Sequence, residues 1–261
     1  MLIDTHCHIN FPDKFPDPAL AIREAVAAGV ERLIAVGCDP ITSRSAVELA
    51  DRFEAVYAVV GWHPTYTKDY TPESLVEIEK MLCHPKVVAI GEIGLDFYWD
   101  YATVEEQMRA LYDQLDLAAR TEIPIVFHCR EAYPQLLDIL EDRPFQPYLF
   151  HCFAGDQHDS ERAVALGGMF GVDGPISYKN ANALREVIRS IPLDRLVIET
   201  DSPYMPPEPY RGKPNKPAYV KFVNEALATT IGVSAEECAR ITTANAERFF
   251  RLTPSILQSA R

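Results

Sequence analysis

The sequence predicts an α/β fold of the (β/α)8 TIM-barrel class, and three observations carry that prediction. Eight short apolar runs recur along the chain with helical patterns between them, as alternating strands and helices require. Histidines and carboxylates gather at the C-terminal ends of several runs, where a barrel of parallel strands assembles its site. The 261 residues match the roughly 250 that such a barrel uses and are read as one domain spanning 1–261. The rival open, doubly wound sheet calls for Gly-x-Gly-x-x-Gly after the first strand, and that pattern is absent.

In chain order the predicted strands are Leu2–His6, Arg32–Gly37, Ala55–Gly61, Val87–Gly91, Ile125–His128, Tyr148–His151, Met169–Val172 and Leu196–Glu199. Val87–Ile90 and Leu196–Ile198 are continuously apolar, as strands covered on both faces should be. Between the strands, Thr71 followed by Pro72 reads as an N-cap with proline at the first helical position. Thr103 and Glu106 form a capping box opening a helix, with Met108, Leu111, Leu115 and Ala118 on one face. Val220, Val223, Leu227 and Thr230 mark another amphipathic helix, and Ser234 with Glu237 opens a last one.

Composition narrows the function classes. Lys plus Arg number 25 against 38 Asp plus Glu, a formal charge of −13. An extended basic face for coating nucleic acid or an anionic membrane is therefore not expected. No run approaches the roughly 18 apolar residues of a membrane span. The start, Met1–His6, lacks the basic and apolar regions of a signal peptide. The six cysteines form no Cys-x-x-Cys pair, which suits a reducing, cytoplasmic setting.

Five of the seven histidines fall at the same end of four predicted strands: His6 and His8, His63, His128, and His151. Strand alternation sends His6 and His8 to one side and Cys7 to the other. By the same rule His128 and His151 point inward, with Cys129 and Cys152 toward the helices as small buried hydrophobes. His84 and His158 fall in helix or loop and are read as solvated. Imidazoles converging with Glu92 and Asp201 form a metal site, suited to Zn, Mn, Fe or Ni, and to Mg through the carboxylates. Six ligands exceed the need of one tetrahedral ion, so two divalent ions are expected, with Glu92 as the bridge.

At this point the chain resembles the TatD family of metal-dependent hydrolases, TIM-barrel enzymes of the amidohydrolase-like group described as deoxyribonucleases. The motifs are Asp4-Thr5-His6-Cys7-His8, Gly61-Trp62-His63-Pro64, Gly91-Glu92-Ile93-Gly94-Leu95-Asp96, His128-Cys129-Arg130, His151-Cys152-Phe153, Glu199-Thr200-Asp201-Ser202-Pro203-Tyr204 and Arg211-Gly212-Lys213. The resemblance implies one ion held by His6, His8, Glu92 and Asp201, and a second by Glu92, His128 and His151. It places His63 and Asp201 beside the attacking water. Many amidohydrolase relatives bridge their metals with a carboxylated lysine where this chain has Glu92. Asn215-Lys216-Pro217 stands where Asn-Glu-Pro is expected, a departure that bears on the loop.

The mechanism expected for a phosphodiester follows. A divalent ion lowers the pKa of water to about 7, Asp201 accepts the proton, and His63 steadies the transition state. Arg130, Tyr204, Arg211 and Lys213, with Lys216, are the candidates for substrate contact. Asp4 is expected to hydrogen-bond a ligand histidine rather than bind metal. Asp96 stays open between a loop cap and a site role, and Glu199 between barrel filling and an outer hydrogen bond. Trp62, Tyr98 and Trp99 stay open between base stacking and packing. The leading function is an exonuclease-type deoxyribonuclease acting on DNA ends or single-stranded DNA. The alternatives are an esterase or deacylase, such as a D-aminoacyl-tRNA deacylase, and a metal-binding protein without turnover.

Overall fold

The computed structural model describes residues 1–143 and 146–253. The strands are β1 (Leu2–Cys7), β2 (Val30–Val36), β3 (Val56–Val60), β4 (Val87–Asp96), β5 (Ile125–Arg130), β6 (Tyr148–Phe150), β7 (Met169–Val172) and β8 (Leu196–Ile198). The helices are α1 (Pro18–Ala27), α2 (Pro40–Arg52), α3 (Pro72–Met81), α4 (Val104–Thr121), α5 (Tyr133–Glu141), α6 (Gln157–Ala165), α7 (Asn182–Ser190), α8 (Val220–Ile231) and α9 (Ala235–Phe249). The strands pair in sequence order, all parallel. The ring closes through a parallel bridge between Cys7 and Ser202, where Asp201 N donates to His6 O at 2.9 Å. This is the TIM barrel the sequence predicts.

Local chemistry explains the elements. Asp39, Thr71, Thr103 and Asp156 each close a capping box at a helix start, satisfying amide N–H groups that the first turn leaves free. Alternation divides the strand residues between two cores. Ile3, Ile34, Val59, Ala89, Val126, Leu149, Met169 and Val197, from all eight strands, fill the barrel interior. Ala246, Phe249 and Phe250 from the end of α9 join them and seal the N-terminal end. The outward residues pack with the helices in a second cluster. The apolar stopper leaves the C-terminal mouth as the place for polar side chains.

Strand ends differ from the sequence prediction in an informative way. β4 continues to Asp96, well past the predicted end at Gly91. Gly94 permits it: a Cβ there would lie 1.9 Å from the His128 carbonyl oxygen, so only glycine lets β4 stay paired with β5. Conversely, β6 and β8 stop one residue before His151 and Glu199, yet His151 N still donates to Phe127 O and Glu199 N to Val172 O, both at 3.0 Å, so both residues stay tied to the neighbouring strand at the rim of the barrel. Among the described residues no helix is long and apolar enough to cross a membrane.

Candidate metal centre

Parallel strands end at one mouth, so residues distant in sequence converge there, and the convergence centres on Glu92 near the C-terminal end of β4. The residue is 2% exposed, and its two carboxylate oxygens face different partners. Oε2 lies 3.3 Å from His6 Nε2 and 3.9 Å from His8 Nε2. Asp201 Oδ1 completes that side, 3.4 Å from His8 Nε2 and 3.9 Å from His6 Nε2. Oε1 lies 2.8 Å from His151 Nε2, 2.9 Å from His128 Nδ1 and 3.6 Å from His63 Nε2. The structure thus brings together all six residues expected as metal ligands, with His63 beside them.

A histidine binds metal through a lone pair, so what the other ring nitrogen bonds to matters. His8 Nδ1 faces the Val36 carbonyl at 3.0 Å, which assigns the proton to Nδ1 and the lone pair to Nε2. His128 Nε2 faces Asp96 Oδ2 at 2.8 Å, leaving Nδ1 toward Glu92. His151 Nδ1 lies 3.3 Å from Glu199 Oε1, leaving Nε2 toward Glu92. His63 reverses the pattern. Thr65 N–H donates to His63 Nδ1 at 3.2 Å, so the neutral ring carries its proton on Nε2 and offers the cavity a donor. His63 falls within a possible ligand cluster with Glu92 and His128, but this tautomer suits it to hydrogen bonding rather than ligation.

Without metal, the carboxylates and imidazoles govern one another's charge. Burial disfavours a charged Glu92, yet the surrounding imidazoles, His151 first, outweigh it and hold the carboxyl well below the usual range. Burial also opposes charge on Asp201, and the His8 contact outweighs it, so Asp201 stays ionised. Burial would lower His8, His128 and His151, but their carboxylate partners raise all three above the ordinary histidine value. His6 is lowered by burial and then by His151. Burial, followed by His128, pulls His63 down to about 3, so it is neutral at physiological pH.

The residues fit divalent metal. Both ring nitrogens of His6 are buried without a hydrogen-bond partner, which is costly unless another group occupies that position. His6, His8 and Glu92 place ligand atoms within mutual reach of one ion. The imidazole and carboxylate donors are those that Zn, Mn, Fe and Ni accept.

The residues left open by the sequence now have positions. Asp4 bonds Thr200 N and Oγ1 at 2.8 and 2.7 Å, and its nearest link to His6 is the backbone N–H at 3.4 Å. It clasps β1 to the end of β8 rather than holding an imidazole ring. Asp96 both caps the loop, accepting from Tyr98 N and Trp99 N, and holds His128. Glu199 accepts from Thr5 Oγ1 at 3.2 Å and faces His151. It has room because Gly171 lacks a Cβ, which would sit 2.4 Å from Glu199 Oε2.

Trp62 is packing: it is buried and meets Tyr70 edge to face. Tyr98 and Trp99 are exposed. Cys7 and Cys129 join the outer core as expected. Cys152 does not turn toward the helices, because its left-handed backbone, φ 44°, swings the thiol to Asp173 Oδ2 at 3.1 Å. His84 is paired with Asp51 at 2.9 Å, and His158 is exposed.

Arg130 and Tyr204 line a cavity of about 460 Å³ above Glu92, whereas Arg211 and Lys213 are not among its lining residues. Arg211 lies 4.3 Å over the Tyr178 ring. Lys216 pairs with Glu24 of α1 at 2.7 Å, so the departure at Asn215-Lys216-Pro217 ties that loop to the body of the barrel. Sequence reasoning missed Gln107 and Gln114 of α4. Their amides each bridge the N–H and the carbonyl of a site backbone, Asp96 and Trp62 respectively. The signal was available: two glutamines seven apart fall on the helix's apolar stripe.

Comparisons with known proteins give the chain a family. The family model described as TatD related DNase matches residues 3–251. The uncharacterized metal-dependent hydrolase YabD of Bacillus subtilis is 39% identical over 97% of this chain and 100% of its own length. The 3'-5' ssDNA/RNA exonuclease TatD of Salmonella typhimurium is 34% identical over 88% of this chain and 92% of its own. The crystal structure of the TatD homologue YjjV from Escherichia coli superposes with a TM-score of 0.91 at 34% identity, covering 97% of this chain and 98% of that one. The chain belongs to the TatD family of metal-dependent hydrolases.

Proposed function

We propose that this protein hydrolyses phosphodiester bonds at the ends of single-stranded DNA with the help of two divalent ions, which His6, His8, Glu92, His128, His151 and Asp201 would hold. The observation that carries the reading is the division of Glu92: Oε2 faces His6 and His8, beside Asp201, while Oε1 faces His128 and His151. The similarity to the Salmonella exonuclease supports the substrate class.

Divalent ions bound there supply Lewis acidity, lowering the pKa of water toward about 7 and offsetting charge on phosphoryl oxygens. The chain's own groups do the rest. Asp201, ionised at neutral pH, accepts a proton from the attacking water. His63 Nε2–H, on a ring neutral at that pH, donates to a phosphoryl oxygen. A neutral donor suits that task because it stabilises charge without surrendering a proton to Glu92. Arg130 and Tyr204 border the cavity where the ester group enters.

The test is to strip metal with a chelator, restore Mg, Mn, Zn or Ni singly, and follow an end-labelled single strand, a blunt duplex and an aminoacyl ester. Progressive shortening of the single strand, dependent on metal, is expected. Rapid ester hydrolysis with no cleavage of DNA under any metal would overturn the proposal in favour of a deacylase.

A further inference from the structure

The loop after β4 carries large aromatic side chains that the fold leaves uncovered. Trp99 is 42% and Tyr101 58% exposed, although burying such rings is ordinarily a main source of stability. Both line the cavity that holds His63, Glu92 and His128. Their rings lie nearly parallel, with centroids 5.4 Å apart and planes 12° apart.

Beside them, at the end of β5 and two residues past His128, the Arg130 guanidinium sits 3.7 Å over the Tyr98 ring and 5.6 Å from the Trp99 ring. Among the described residues no ion pair or side-chain hydrogen bond engages its N–H donors. Stacking holds the cation in place while its donors stay available. Asp96 fixes this arrangement relative to the metal ligands. Oδ1 accepts from Tyr98 N and Trp99 N at 3.0 and 2.9 Å, and Oδ2 accepts from His128.

We propose that Trp99, Tyr101 and Arg130 form a nucleotide subsite, which rests on the phosphodiesterase reading above. An unpaired base stacks at Trp99 and Tyr101, and Arg130 takes a phosphate of the same strand. A base offers its face to a side chain only when freed from its neighbour in a duplex. The subsite therefore selects frayed or single-stranded ends, and the chain needs no extended basic surface to do so.

Tryptophan fluorescence tests this without relying on turnover. The chain has two tryptophans; Trp62 is buried and Trp99 exposed, so the solvent-relaxed emission belongs to Trp99. The metal-loaded protein is titrated with a short oligothymidylate carrying cleavage-resistant linkages, and with an abasic strand of equal length and charge. The thymidylate is expected to quench Trp99 and the abasic strand to leave it unquenched. Trp99→Leu and Tyr101→Leu should each raise KM for single-stranded DNA about tenfold, the size of one lost base–aromatic stack, and narrow the KM gap between base-bearing and abasic ends. Trp99→Phe, which keeps a stacking face, should restore KM. Arg130→Gln should weaken both strands alike and reduce the salt slope by about one.

Equal quenching by both strands, or a wild-type KM in Trp99→Leu, overturns the subsite; DNA cleavage by the wild type in that case leaves the nuclease reading standing. Base-dependent quenching with no cleavage of any DNA overturns the nuclease reading and retains the base site.

Discussion

Asp96→Asn is a change of one atom that should weaken metal binding at His128 without disturbing the fold. Asp96 is buried; its Oδ1 takes the N–H groups of Tyr98 and Trp99, and its Oδ2 takes Nε2–H of His128 at 2.8 Å. Asparagine keeps the shape but has one acceptor and one donor end. With its oxygen on the two backbone N–H groups, its NH2 confronts His128 Nε2. The imidazole must then accept there and carry its proton on Nδ1, the atom that faces Glu92 Oε1 at 2.9 Å, and the lone pair for the ion is lost. The flipped amide would spare the tautomer but leave two backbone N–H groups facing an NH2, at about 0.5–1.5 kcal/mol for each lost bond.

Replacing a partner of a metal-bound histidine typically weakens metal about 10–100-fold, or about 1.4–2.7 kcal/mol. That loss is comparable to the cost of flipping, so neither amide orientation escapes the penalty. The assay is calorimetric metal titration against a competing chelator, with thermal melting of the metal-free protein alongside. One binding step should weaken by that factor while the step assigned to His6, His8 and Asp201 persists, and the melting temperature should hold. Two wild-type binding steps in Asp96→Asn would refute the tautomer argument.

His63→Ala should lower kcat about 10²–10³-fold, the usual effect of removing one donor to a developing oxyanion, with metal content by elemental analysis unchanged; loss of an ion would make His63 a ligand instead. Because His8, His128 and His151 hold protons more tightly than free histidine, an incoming ion must displace them. Metal affinity should therefore rise with pH through and above the ordinary histidine range, with proton release measurable in buffers of different ionisation enthalpy; pH-independent affinity contradicts this. Asp173 is pushed up to about 8, first by burial and then by Glu199. The folded chain keeps this proton up to about pH 8 while the unfolded chain loses it near pH 4, so metal-free stability should fall as pH rises through that window. Asp173→Asn should melt higher than wild type in chelator by a margin that widens from about pH 5 to about pH 8, and parallel melting curves would sink the assignment.

The sequence by itself determined the barrel and its polar end. Strands buried on both faces must be continuously apolar, and parallel strands that share a direction must end together, so the histidine-bearing ends of runs far apart in sequence had to meet. The HxH pair, Glu92, His128, His151 and Asp201 were legible for that reason. Tertiary structure alone decided how each group is used. Whether a ring nitrogen carries a proton depends on the atom opposite it: the Val36 carbonyl for His8, Asp96 for His128 and Thr65 N–H for His63. These partners come from other strands or from loop geometry that spacing does not encode. The same holds for Arg211 and Lys213, expected at the mouth from their charge, and for Cys152, turned to Asp173 by one left-handed residue. Periodicity reports which face a residue is on. The lone pairs and protons that make a site follow from three-dimensional contacts made only when the ring of strands closes.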